Sequence, residues 1–157
     1  MVKTPAKSML YKIVAADIMT EDVVVIKEDM LIGQVAHLML RNKVSGYPIV
    51  NESKQVVGVV TINDLFALID RTAWDSLRSS SSKGKEDWQD KIGELKDRPI
   101  KEIMTRNVIS ITPETPVFDI IEAVVKWRIH TFPVMKNNKL VGIIGRHDVL
   151  NATFVYS

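Results

Sequence analysis

The feature that most constrains the fold is that the chain contains itself twice. Ala16-Asp17-Ile18-Met19-Thr20 returns as Lys101-Glu102-Ile103-Met104-Thr105. Tyr47-Pro48-Ile49-Val50 returns as Phe132-Pro133-Val134-Met135 at the same offset of 85 positions, the spacing of Ile18 from Ile103. After a one-residue deletion the offset is 84, and Val57-Gly58-Val59-Val60 and Asp64-Leu65 match Val141-Gly142-Ile143-Ile144 and Asp148-Val149. An ordered series of matches is the signature of a duplicated structural unit. It divides the chain into an N-terminal tail or helix (1–15), a first repeat (16–71), an insertion or linker (72–98) and a second repeat (99–157).

Each copy has one pattern of elements. In the first, Val23–Ile26 reads as a short apolar strand. Asp29 is placed to cap a helix whose apolar face is Ile32, Val35, Ala36, Met39 and Leu40. Tyr47–Val50 and Val56–Val60 form a hairpin around the polar turn 51–55, and a second helix runs over Ile62–Ile69. In the second copy the strand is Val108–Ile111. Thr115-Pro116 starts a helix with Val117, Ile120, Ile121 and Val124 inward, followed by a hairpin and a helix from Arg146 towards Phe154. The fold class is therefore α+β (mixed α/β): two β-α-β-β-α units whose sheet faces are too large to stay wet, packed with approximate two-fold symmetry. In the insertion, Ser79-Ser80-Ser81-Ser82-Lys83-Gly84-Lys85 reads as a flexible loop, and residues 86–96 as an amphipathic helix with Trp88, Ile92 and Leu95 on one side.

Composition narrows the function. The 157 residues are 46% hydrophobic and 25% charged, which suits an ordered globular chain. Lys and Arg number 21 against 19 Asp and Glu, so the basic excess typical of nucleic-acid binders is lacking. There is no cysteine, hence no disulfide frame or thiolate zinc site. The longest apolar stretches, such as Val56–Ile62, are strand-sized and far short of a membrane span. The expectation is a cytoplasmic protein without nucleic-acid or membrane partners. No Walker loop, G-x-S-x-G, H-E-x-x-H or G-x-G-x-x-G occurs, and His37, His130 and His147 lack metal-ligand spacing. The chain is read as a non-enzyme without a metal.

The segment Gly58-Val59-Val60-Thr61-Ile62-Asn63-Asp64 runs from a strand into a helix. It admits two readings. Thr61 and Asp64 form a capping box; or the helix start offers free N–H groups while Asp64 accepts from the vicinal hydroxyls of a ribose, with Thr61 alongside. The second copy, Gly142-Ile143-Ile144-Gly145-Arg146-His147-Asp148, keeps the Asp and has Gly145 in place of the Thr.

With these residues the chain resembles the CBS-domain family (named for cystathionine β-synthase), arranged as a tandem pair. The Ile-Met-Thr openers, the Pro48 and Pro133 strands and the G-h-h-T-x-x-D pattern carry the resemblance over all but the tail and the insertion. It implies a regulatory module that binds an adenine nucleoside or nucleotide (AMP, ADP, ATP or S-adenosylmethionine) as regulatory ligand, with no catalytic cofactor.

By resemblance, site 1 has Asp64 on the ribose beside Thr61 and Asn63, Val59 on the adenine, and Thr20, Asp22 and Val23 lining the base pocket. His130, Arg146 and His147 of the other repeat would meet phosphate. Site 2 has Asp148 with Thr105, Asn107, Val108, Ile143 and Gly145, and uncharged Ser45 across from it. Site 1 then suits a phosphorylated ligand and site 2 a less charged one. The resemblance also implies a homodimer, a flat disc of four repeats, acting on an unidentified regulated protein. A ligand-independent dimerisation scaffold is the alternative. Met19 and Met104 are expected as core filler, Trp74 and Trp88 as packing residues, and Trp127 as an exposed one.

Overall fold

The computed structural model describes residues 7–78 and 83–155. Two compact units emerge, and they cut across the repeats: one joins Met1–Val24 to Asn107–Ser157, the other is the continuous stretch Val25–Arg106.

The continuous unit holds β1 (Ile26–Lys27), α3 (Ile32–Asn42), β2 (Gly46–Val50), β3 (Val56–Thr61), α4 (Ile62–Leu77), α5 (Lys83–Leu95) and a 3-10 turn at Ile100–Glu102; α1 (Lys7–Leu10) and α2 (Ala15–Ile18) precede it in the chain. The sheet order is β1-β2-β3, with β1 parallel to β2 and β2 antiparallel to β3. Every residue of β2 is buried. Its core comprises Ile26, Val35, Met39, Tyr47, Ile49, Val60, Ile100 and Met104. The Tyr47 hydroxyl donates to the Leu38 carbonyl at 3.2 Å and accepts from Asn42 Nδ2 at 3.0 Å, so the phenol is buried without an unmet polar group.

The discontinuous unit contains α1, α2, α6 (Val117–Trp127), β4 (Phe132–Lys136), β5 (Lys139–Ile144) and α7 (Arg146–Val155). Phe132, Val134, Ile144, Ile120 and Val149 centre its core, closed by Ala15 from α2.

Proline is rare inside sheets because it cannot donate to a ladder, yet Pro48 and Pro133 are both paired within hairpins. Pro48 faces Val59 and Pro133 faces Ile143. At both partners the backbone N–H and C=O turn away from the hairpin. Val59 exchanges hydrogen bonds with Thr105, 2.9 Å in each direction. Ile143 does the same with Thr20, at 2.9 and 3.0 Å. These are the non-hydrogen-bonded positions of an antiparallel pair, so proline costs the hairpin no bond.

Several expectations are corrected. Asp29 sits in a turn and α3 begins at Ile32. The orphan N–H groups of Ile32 and Gly33 are met by the carbonyls of Arg98 and Lys96, each at 2.9 Å, so a side-chain cap is not required. Thr115 likewise does not cap α6: its hydroxyl accepts from the Thr112 N–H at 3.0 Å, while the Val117 N–H reaches the Ile13 carbonyl at 2.8 Å. The strands expected over 23–26 and 108–111 shrink to Ile26–Lys27 and to a single parallel bridge from Ile111 to Val134. The helix expected at 62–69 runs on to Leu77. Of the serine-rich run, residues 79–82 lie outside the described residues, and Lys83 to Lys85 open α5. Trp74 is exposed, with the Arg78 guanidinium 5.7 Å from its ring centroid. Trp88, Ile92 and Leu95 are half-buried on α5, and Trp127 is exposed, as expected.

Candidate ligand-binding site

The junction of β3 and α4 is built around Asp64. The Thr61 N–H donates to Asp64 Oδ2 at 2.7 Å, and the Thr61 hydroxyl to the same oxygen at 3.2 Å. Only the returning half of a capping box forms: the Thr61 hydroxyl is spent on the carboxylate. The other oxygen, Oδ1, accepts from the Thr105 hydroxyl at 3.1 Å. The first N–H of α4, that of Ile62, is held by the Ser45 carbonyl at 2.9 Å. Asn63 is exposed on the first turn, and Val59 is buried beneath it in β3. The carboxylate thus faces two hydroxyls that rotate freely about their C–O bonds, and each can exchange a bond to Asp64 for one to an incoming group.

The junction of β5 and α7 is built around Asp148. Its Oδ2 accepts from the Gly145 N–H at 2.8 Å. With glycine at that position no local hydroxyl shares the load. Burial pushes the Asp148 carboxyl above its ordinary value, opposed by the Gly145 hydrogen bond and by His147. His147 stands beside it, and Arg128, His130 and Arg146 belong to the same unit. His130 is held below its ordinary value by burial first, then by the charges of Arg146 and Arg128. Positive groups held together raise the energy of the charged imidazole, and a phosphate placed among them would oppose that part of the shift.

The grouping of site residues differs from the expected one in a specific way. Thr20 bridges Ile143 and so falls in the unit of Asp148, and Thr105 bridges Val59 and hydrogen-bonds Asp64. The openers are exchanged. Asp22 and Val23 fall in the unit of Asp148, His130, Arg146 and His147, as do Asn107 and Val108; Ser45 and Asn63 fall in the unit of Asp64. The physical cause is a tight fit of methionine against glycine. A Cβ on Gly58 would lie 2.7 Å from the Sδ of Met104, and one on Gly142 would lie 2.5 Å from the Sδ of Met19. Each opener lays its methionine over the bare backbone of the other copy's strand, and the following threonine pairs its backbone with that strand; Thr105 also reaches Asp64 through its hydroxyl. Sequence reasoning missed the Thr105–Asp64 contact. The two openers are so alike that nothing in their local sequence says which copy each will meet.

Among the described residues, no group of three or more His, Asp or Glu side chains is arranged to hold a metal, and no helix is long and apolar enough to cross a membrane.

The CBS domain family matches residues 14–71 and 100–154. The chain belongs to that family, as a tandem pair. Homoserine O-acetyltransferase of Methanohalobium evestigatum is 27% identical over 135 residues, 85% of this chain and 23% of the relative. The chain thus spans about a quarter of that relative's length. Among solved structures, a CBS-domain containing protein from Agrobacterium tumefaciens aligns with a TM-score of 0.71 at 21% identity, covering 90% of this chain and 100% of that one. CBSX2, solved in complex with AMP, aligns at 0.67 and 23%, covering 90% and 96%. The CBS domain pair of protein MJ0100, solved with 5′-methylthioadenosine and S-adenosyl-L-methionine, aligns at 0.69 and 22%, covering 92% and 98%. At these identities the likeness is one of fold.

Proposed function

We propose that this protein is a non-enzymatic regulatory module that binds an adenine nucleoside or nucleotide and transmits its presence as a change of conformation. The observation that carries the reading is the pair of aspartates on first helical turns. Asp64 faces the Thr61 and Thr105 hydroxyls, and Asp148 shares a unit with Thr20, Arg146, His147 and His130. A carboxylate so held accepts from both hydroxyls of a ribose. The apolar Val59 and Ile143 on the preceding strands supply walls for a base. Arginine and histidine beside Asp148 supply the charge-assisted contacts that phosphate recognition uses. The adenosyl ligands of CBSX2 and of protein MJ0100 support the same ligand class.

These cations sit in the unit of Asp148. We therefore propose the phosphorylated ligand at Asp148 and the less charged one at Asp64, the reverse of the assignment that the family resemblance implied. Differential affinity for two arrangements is what lets such a ligand regulate. Homoserine O-acetyltransferase shows that a segment of this kind can be part of a larger chain. For this protein the regulated partner is proposed as an unidentified protein.

The test is a thermal-shift series with AMP, ADP, ATP, S-adenosylmethionine and NAD on wild type, Asp64→Asn and Asp148→Asn. A ligand at a hundredfold excess over its Kd stabilises by about 2.7 kcal/mol, or several degrees. AMP is expected to shift wild type and Asp64→Asn, and to lose most of its effect on Asp148→Asn. No shift with any ligand would favour the scaffold, a reading supported by the fact that Asp64 already has three internal donors.

We also propose a homodimer. Phe66 of α4 and Leu150 and Phe154 of α7 are 61%, 55% and 77% exposed. Phe66 and Leu150 stand at equivalent positions of the two copies, so each repeat presents an exposed apolar residue for a second protomer to cover.

A further inference from the structure

The two methionine contacts with glycine are alike in geometry and unlike in depth. Met19 lies on Gly142 and Met104 on Gly58, each with its sulfur against bare strand backbone. Met104 is 7% exposed and belongs to the buried core of its unit. Met19 is only half-buried, and packs against its own core from outside, as Ile18 and Val141 do. We propose that Met19 is a reversible oxidation site: a peroxide converts its thioether to a sulfoxide, and the sulfoxide unseats the opener from β5.

A thioether suits this seat because it is apolar, polarizable and able to fill an irregular gap. The fit at Gly142 leaves no slack. A Cβ there would lie 2.5, 2.9 and 3.2 Å from the Sδ, Cγ and Cβ of Met19, so the side chain lies along the strand rather than touching it at its tip. A sulfoxide is polar and carries one more oxygen. The neighbouring donors have nothing to offer that oxygen. The Ile143 N–H is spent on the Thr20 carbonyl at 3.0 Å, the Thr20 N–H on the Ile143 carbonyl at 2.9 Å, and Gly142 is paired with Val134 in the hairpin. A polar group held away from water without a partner is costly. The oxidised side chain therefore leaves its seat, and the backbone bridge beside it opens to water.

The step needs an oxidant of the hydrogen peroxide class and nothing else. A lone pair of the Met19 sulfur attacks one peroxide oxygen, and the O–O bond breaks. The departing oxygen takes the proton of the transferred hydroxyl and leaves as water. The sulfur gives up two electrons and the peroxide accepts them. A methionine sulfoxide reductase restores the thioether. Other methionines set the scale. Met9 is 55% exposed and sits on no glycine, while Met39, at 3%, and Met104 are shielded. Met19 combines access with a seat that a sulfoxide does not fit.

The experiment treats the full chain with hydrogen peroxide and follows Met19 and Met104 by mass spectrometry in the tryptic peptides 13–27 and 102–106, each of which holds a single methionine. Hydrogen exchange detected by NMR then reads the Thr20 and Ile143 amides, with the matching bridge of Thr105 and Val59 as control. Met19 is expected to oxidise at least about tenfold faster than Met104. Its oxidation is expected to speed exchange at Thr20 and Ile143 by about tenfold or more, while Thr105 and Val59 stay protected. Met19→Leu keeps the apolar volume without the sulfur, and peroxide is expected to leave its Thr20 and Ile143 amides unchanged. Equal rates at Met19 and Met104 would overturn the proposal. So would unchanged exchange at Thr20 and Ile143 once Met19 is oxidised, or the same loss of protection in Met19→Leu. No nucleotide enters the experiment, so the proposal and the adenosyl reading can fail separately.

Discussion

At the scale of single residues, the most informative group is His130. Its imidazole is disfavoured as a cation by burial and by Arg146 and Arg128. The unfolded chain then binds a proton more readily than the folded one between the lowered value and the ordinary value of about 6.5. Stability falls as pH drops through that window and is level in this respect above it. Replacing Arg146 by Gln removes one of the two neighbouring charges, so the His130 ring is expected to titrate at a higher pH. Proton NMR of the ring resonances measures this, and a His130 that titrates at or above 6.5 in the wild-type protein would refute it. A bound phosphate is expected to move the ring the same way, which makes His130 a reporter of ligand charge. Asp148 has the opposite sign. Its raised value means that the folded state holds a proton longer than the unfolded one. The carboxylate therefore detracts from stability once pH has risen through that raised value. Asp148→Asn, which keeps an acceptor for the Gly145 N–H, should leave the protein at least as stable at neutral pH.

At the scale of elements, the duplication, both hairpins and most of the inward faces of α3 and α6 are legible in sequence, because periodicity records which side of an element is buried; on α3 Leu40, expected inward, is 76% exposed, and Leu38 packs against the core instead. Helix starts are less so. Asp29 and Thr115 have the right chemistry for caps, but backbone carbonyls of Arg98, Lys96 and Ile13 arrive from distant parts of the chain and take the N–H groups instead. A local rule loses to a long-range contact that no window of sequence contains. The exchange of openers was hidden for the same reason, although its determinants, Met19, Met104, Gly58 and Gly142, are all plain in the sequence. They also make the exchange testable. An alanine methyl at position 58 would meet the Thr105 carbonyl at 3.0 Å as well as the Met104 side chain. At position 142 the three nearest atoms all belong to the Met19 side chain, which can move. Overpacking costs about 1–3 kcal/mol. Gly58→Ala should fall in that range, and Gly142→Ala below it, as read by urea unfolding. Equal effects would mean that backbone proximity is not what fixes Gly58.

At the scale of the whole molecule, the compact units predict how the chain can be divided. A fragment spanning 25–106 carries its own opener, with Ile100 and Met104 in its core. A fragment spanning 16–71, the first repeat as the sequence delimits it, lacks both. The longer fragment is expected to unfold cooperatively and the shorter to remain open, which circular dichroism with thermal melting decides. A cooperative melt of the shorter fragment would show that the repeat, not the contact unit, is what folds.

The interrupted course of the chain has a consequence of its own. One unit is continuous and the other is entered, abandoned for residues 25–106, and resumed. Until the continuous unit folds, the other must close a loop made of floppy chain; once it has folded, the same closure joins the ends of an ordered body. The entropy lost on closing a flexible loop grows with its length. Anything that tightens the continuous unit therefore favours completion of its neighbour through connectivity alone. The covalent thread itself becomes a channel of cooperation, and tying off one knot shortens the string left for the other.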